Sequence, residues 1–215
     1  MRTTSFTYAP SVLDADGICA SQTAAGAAYA NINGALASGG VATMGDQQFI
    51  TIFSASNLSG LTFLATGTDK NGTAITSSIT GPGAGLTVVS TKNFYTVSSV
   101  YVSGAAAAFT IGVNGLGASV AYPTDVNVTP FQLSVAVVSV TGATYKLQYT
   151  YDNVQDPTWP NGTQYWFDSA LMTGETAATD VSINASPVTA VRLSITSAGS
   201  PQSLTGRIVQ AGPGR

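Results

Sequence analysis

Histidine is absent from the 215-residue chain. That removes the commonest general base and the commonest metal ligand near neutral pH. Cysteine occurs once, as Cys19, so no intrachain disulfide can form and stability must come from packing or assembly. Beside Ile18, that cysteine reads as a small hydrophobe rather than a nucleophile. Charge is scarce as well. Asp, Glu, Lys and Arg make up 8% of the chain, against about 25% in an ordinary soluble domain. The seven basic residues are scattered singly and the net charge is −3, so the basic patch of a nucleic-acid binder is missing. The uncharged stretch from Asn93 to Thr124 contains Ser, Thr, Asn and Gly. It lacks the run of about 20 apolar residues that a membrane-spanning helix needs. The opening "MRTTSFTYAPSVLDADG" has no apolar core of a secretory signal. The N-x-S/T triplets at Asn57, Asn71, Asn127, Asn161 and Asn184 then read as by-products of a chain rich in those residues.

Signature motifs are missing too. No G-x-G-x-x-G follows a strand and opens a helix, and there is no Walker A sequence, C-x-x-C, H-E-x-x-H or G-x-S-x-G. No cofactor and no metal is expected. Two close carboxylate pairs exist, Asp14/Asp16 and Asp152/Asp156. Paired carboxylates can hydrolyse glycosides when their environments differ. Here one pair lies in a polar N-terminal stretch and the other in a turn, where Asp serves local backbone hydrogen bonding.

What the chain does have is Thr, Ser, Asn and Gly alternating with β-branched and aromatic residues at a period of two. Strands are predicted over 48–55, 61–69, 73–80, 91–104 and 107–114. Two shorter ones lie around Asn33–Gly34 and Gly39–Gly40. Residues 114–130 carry turn formers without a pattern and mark a junction. Beyond them, strands are predicted over 131–140, 144–153, 179–186, 189–198 and 203–212, with "TGA" and "SAGSPQ" as turns. The expected fold class is all-β, with two tandem antiparallel β-sandwich domains of immunoglobulin-like or jelly-roll-like type. The expected division is an extended N-terminal arm over 1–16, a first sandwich over 17–117 and a second over 118–215.

The stretch "TGTDKNGTAITSSITGPG" (66–83) looks at first like a calcium loop. An EF-hand frame starting at Asp69 fails at Thr73, Ala74 and Thr80, where ligands, Gly and Glu are required. A hairpin with a type I′ turn at Asn71–Gly72 fits better. The aromatic cluster "TWPNGTQYWFD" (158–168) leaves three readings open for Trp159, Tyr165, Trp166 and Phe167. They could be sandwich core, anchors of a protein interface, or a platform on which a sugar stacks.

Two long phrases, "ICASQTAAGAAYANINGALASGGVATM" (18–44) and "QQFITIFSASNLSGLTFLATGTDKNGTAITSSITGPG" (47–83), resemble small virion structural proteins of tailed bacteriophages. The closing "VTAVRLSITSAGS…LTGRIVQAG" is similar to the second domain of such proteins, so the resemblance runs from about residue 17 to residue 212. It implies a non-enzymatic capsid decoration (cement) protein on the outer surface of the head. Its implied partners are the major capsid protein and further copies of itself, as a dimer or trimer, with no nucleic acid and no membrane. Contacts would come from the arm (Thr3, Phe6, Tyr8, Val12, Leu13) and from the aromatics Trp159, Tyr165, Trp166 and Phe167. A tail, neck or baseplate component and a carbohydrate-binding adhesion module are the alternatives.

Overall fold

A strand with one buried face needs apolar side chains at every second position, and this chain supplies them almost throughout. The computed structural model describes residues 2–155, 164–183 and 187–211, among which there is no helix. In chain order the strands are β1 (Arg2–Tyr8), β2 (Asp14–Ala24), β3 (Ala28–Tyr29), β4 (Ala37–Ser38), β5 (Val41–Ser54), β6 (Thr62–Thr68), β7 (Ala74–Thr80) and β8 (Leu86–Val102). They continue with β9 (Ala106–Val113), β10 (Gly117–Ala118), β11 (Tyr122–Pro123), β12 (Leu133–Thr150), β13 (Phe167–Glu175), β14 (Thr179–Ile183) and β15 (Ala190–Gln210). The chain divides into two compact units. One is inserted, Pro10–Gly117; the other is split, Met1–Ala9 with Ala118–Arg215.

In the inserted unit the sheet order is β2-β9-β5-β8-β6-β7, with β3 on β8 and β4 on β5. Every pairing is antiparallel. β8 is long enough to serve two neighbours: residues between Leu86 and Val97 pair with β5 on one side, and residues between Thr96 and Val102 pair with β6 on the other. The sandwich-like result encloses one apolar cluster that includes Ile18, Ile50, Ile52, Phe63, Phe94, Val97, Val100, Phe109 and Ile111. Phe63 and Phe109 meet edge to face at 5.3 Å. Cys19 is fully buried in the same cluster, and that burial pushes its thiol up to about 12.

β6 and β7 form the expected hairpin, in register from Thr62↔Thr80 to Thr68↔Ala74. Its turn is not type I′. Positive φ falls on Gly72 (+83°) and, among the described residues, on no residue other than glycine, so Asn71 stays on the ordinary side. The Gly72 N–H donates to the Asp69 carbonyl, and the Asp69 N–H to the Thr73 carbonyl. This is a type I turn closed by a glycine bulge. The Asp69 carboxylate decides the matter by accepting from the N–H groups of both Asn71 (2.9 Å) and Thr73 (2.8 Å). Lys70 has a separate task. Its ammonium reaches Asp46 Oδ2 at 2.6 Å, in a bulge of β5 where Asp46, Gln47 and Gln48 are all buried.

In the split unit the order is β1-β15-β12-β13, with β14 on β12 and with β10 and β11 on β15. β12 and β15 pair from Leu133↔Gln210 to Thr150↔Ala190. The first half of β12 also holds β14 and the second half holds β13. Here the predicted "TGA" and "SAGSPQ" turns are absent. The chain runs on through both places, and the ladder slips at Val137/Ser139, Thr141/Ala143 and Thr144/Tyr145. Glycine serves a bulge as readily as a turn, and bulges bend a strand without ending it. The buried residues keep their parity across the bend: Leu133, Val135 and Val137, then Ala143, Tyr145 and Leu147.

The expected N-terminal arm is also absent. Arg2 to Tyr8 pair residue for residue with Gln210 to Leu204 of β15. Phe6 and Tyr8 are buried, and the Phe6 ring lies 4.9 Å from that of Tyr122. It also covers Gly206, where a Cβ would come within 2.3 Å of Phe6 Cζ. Apolar side chains at alternate positions need a covering face, and β15 offers one. Val12 and Leu13, on the connection between β1 and β2, do remain exposed.

Two substitutions test these contacts. Phe6→Ala should cost about 3 kcal/mol of stability, as aromatic truncations in a core do. Thr3→Ala, exposed on the same strand, should cost under about 0.5 kcal/mol. Equal urea midpoints for the two variants would contradict the docking of β1. Lys70→Ala leaves a carboxylate buried without its cation and should cost about 2 kcal/mol, less than a fully buried pair because Lys70 is partly exposed. Asp46→Asn combined with Lys70→Ala should recover part of that loss in the same titration.

Candidate functional site

The Lys146-Leu147-Gln148-Tyr149 run of β12 sends successive side chains to opposite faces. On one face a polar row crosses three strands. Asp168 of β13 and Arg192 of β15 both stand in register with Gln148 of β12. Lys146 Nζ lies 2.7 Å from Asp168 Oδ2, the Gln148 amide donates to Asp168 Oδ1 at 2.8 Å, and Arg192 Nε donates to Gln148 Oε1 at 2.8 Å. The Arg192 guanidinium also sits 4.0 Å over the Trp166 ring, a cation–π contact strengthened by desolvation. Burial pushes Arg192 down to about 10, with Tyr8 and Asp168 opposing, so it stays charged at neutral pH. The Lys146 ammonium and the Gln148 amide hold the Asp168 carboxyl below its ordinary range, with desolvation opposing.

On the opposite face of these strands lies an aromatic group. The rings of Tyr149 and Phe167 stack at 5.7 Å and 24°, while Tyr151 is tilted at 58° to Phe167 and stands at 79° to Tyr149. Tyr149 and Tyr151, with Ser169, Ala170, Leu171, Ile183 and Val188, line an open depression of about 240 Å³. Its walls are mainly apolar, so it suits an apolar side chain or ring better than a charged group. Asp152 holds the nearby backbone, accepting the Tyr165 N–H at 2.6 Å. Its carboxylate therefore does turn work. Asp14, by contrast, accepts weakly from the Asp16 N–H at 3.4 Å and has its carboxyl raised, first by burial and then by Asp16.

The predicted contact residues divide. Tyr165 is 78% exposed, Phe167 is 48% exposed, and Trp166 is half-buried beneath Arg192. Trp159 and Asp156 lie outside the described residues. Thr3 is exposed on β1, and Leu13 is 70% exposed. Phe6 and Tyr8 are the correction: they fill their own chain's core and present nothing to a partner. Sequence reasoning did not single out Tyr149, Tyr151 or Arg192. The alternation Tyr145, Leu147, Tyr149, Tyr151 was visible, but the partners that make these residues a cluster stand far away in the chain.

The polar row generates a pH prediction. A carboxyl that ionises more readily when folded stabilises the fold above its unfolded value of about 3.9 and loses that contribution as pH falls through the lower folded value. Asp168 is half-exposed, so the effect is small. Asp168→Asn should flatten the decline of Tm below about pH 4 relative to the parent chain. Superimposable acid limbs would contradict the assigned role.

No family model matches the chain, and neither a curated protein nor a solved structure matches it.

Proposed function

We propose that the chain is a non-enzymatic structural protein of a tailed-bacteriophage virion, and specifically a capsid decoration (cement) protein that binds the major capsid protein on the outer surface of the head. One observation carries this reading. The surface is poor in charge and yet leaves large apolar side chains exposed in both units: Leu13, Tyr29, Leu86, Tyr165 and Leu171, each at least 60% accessible. Such a surface repels neighbours weakly, and aromatic and aliphatic anchors of this kind gain when a partner covers them. The resemblance of residues 17–212 to virion proteins points the same way. The net charge of −3 suits a position away from packaged nucleic acid. With Phe6 and Tyr8 committed to the core, the candidate contacts are Thr3, Tyr165, Trp166 and Phe167 on the split unit and, separately, Val12 and Leu13 on the inserted unit.

A carbohydrate-binding module would offer rings in one plane. Tyr149 and Phe167 are stacked on one another and Tyr151 is tilted to both, so this trio offers no flat platform and favours an apolar side chain over a sugar ring.

Copy number in purified particles tests the proposal. A ratio to the major shell protein near one, or a simple fraction of it, is the expected result. A few copies per particle would move the chain to the tail, neck or baseplate. Its absence from particles would overturn both assignments.

A further inference from the structure

The edge of an antiparallel sheet presents unpaired backbone groups, and proteins usually blunt such edges with charge, proline or bulges. Most end strands here are blunted. β2 carries Asp14 and Asp16 and slips register three times against β9. β13 bulges against β12 and kinks at Gly174, where φ is +74°. β14 is five residues long with Asp180 inside it. β7 has none of these devices. Its seven residues, AITSSIT, contain no charge and no proline and keep unbroken register with β6. Its other edge pairs with no strand among the described residues.

The same strand is self-complementary. Ile75, Ser77 and Ile79 are buried, while Ala74, Thr76, Ser78 and Thr80 are exposed. Ile75-Thr76-Ser77-Ser78-Ile79 therefore reads nearly alike in both directions. Two copies aligned antiparallel about Ser77 set Ile75 against Ile79 of the second copy on the inner face. On the outer face Thr76 meets Ser78, a favourable cross-strand hydroxyl pair, and no charge opposes another. Ser77, at the centre of that alignment, is 3% exposed and its hydroxyl is enclosed by its own chain, so the pairing rests on the open backbone edge and on the exposed Thr76–Ser78 pairs.

We propose that the protein associates with a second copy of itself by antiparallel β7–β7 pairing centred on Ser77, in an isologous two-fold interface. The interface joins the two inserted units into one continuous sheet. It stands whether or not the chain belongs to a virion.

Sedimentation of the full chain tests this. The parent should show a mass of twice 21.7 kDa at high concentration. Thr76→Lys with Ser78→Lys sets like charges opposite one another on the exposed face and should weaken the dimer by about tenfold or more. Thr76→Lys with Ser78→Glu sets opposite charges there and should restore it. Thr76→Cys with Ser78→Cys sets exposed thiols of the two copies opposite one another, and mild oxidation of the native protein should give a covalent dimer on a non-reducing gel. A parent that stays monomeric at hundreds of micromolar overturns the proposal. So does equal association of the two charge variants, or failure of the Thr76→Cys with Ser78→Cys variant to cross-link. The cross-linking result decides alone if either lysine variant fails to fold.

Discussion

The pairing of β1 with β15 is the constraint from which the rest of the architecture follows. It places the N-terminus in the same sheet as the last strand, Arg2 opposite Gln210 and Tyr8 opposite Leu204. Once those ends are joined, residues 10–117 can only be an insertion that leaves the split unit and returns to it. The inserted unit is built for that. Its first and last long strands, β2 and β9, are neighbours, and Asp14 stands opposite Val113, so the chain enters and exits at adjacent points. Closely spaced ends are the geometric condition for inserting one folded unit into another. The aromatic side chains of β1 make the join stable, since Phe6 covers Gly206 and meets Tyr122 while Tyr8 is fully enclosed.

Scarcity of charge governs how the polar groups are used. Few ionic groups are available, and several serve the fold itself. Lys70 neutralises the buried Asp46 and so ties a hairpin turn to the bulge in β5. Lys146, Asp168, Gln148 and Arg192 link three strands and cover Trp166. What remains outside is Thr, Ser and apolar side chains with a few scattered charges such as Asp16, Asp125, Asp180 and Arg207. Such an exterior offers little repulsion to another protein surface. That physical property, rather than any assembled chemistry, supports the reading of the chain as a part of a larger structure.

Local pattern made much of the fold legible. Alternation in "LTFLATGTD" and "TAITSSIT" predicted β6, the hairpin and β7. The patternless stretch after Asn114 lies where the chain passes from the inserted unit to the split unit. Other features depended on partners that no local window contains. "RTTSFTY" is a short polar run with two aromatics, and only the distant β15 makes a strand of it. The glycines in "TGA" and "SAGSPQ" look like turn residues because a bulge and a turn make the same local demand. Which one forms is set by the ladder between β12 and β15. The type I turn at Lys70–Asn71 was missed because the Asp69 carboxylate, by accepting two backbone N–H groups, outweighs the preference of Asn-Gly for a type I′ turn. The aromatic group was half-legible. Phe167 and Trp166 stood out by composition, whereas Tyr149 and Arg192 became neighbours of these only through cross-strand register.

Backbone amide exchange over residues 2–8, followed in the native full-length chain, addresses the β1–β15 pairing most directly. The account predicts that the hydrogen-bonded amides of this segment exchange as slowly as those of 204–210, because the two strands open together. Exchange at the rate of an unstructured N-terminus, with 204–210 still protected, would contradict it and return the segment to the status of a free arm.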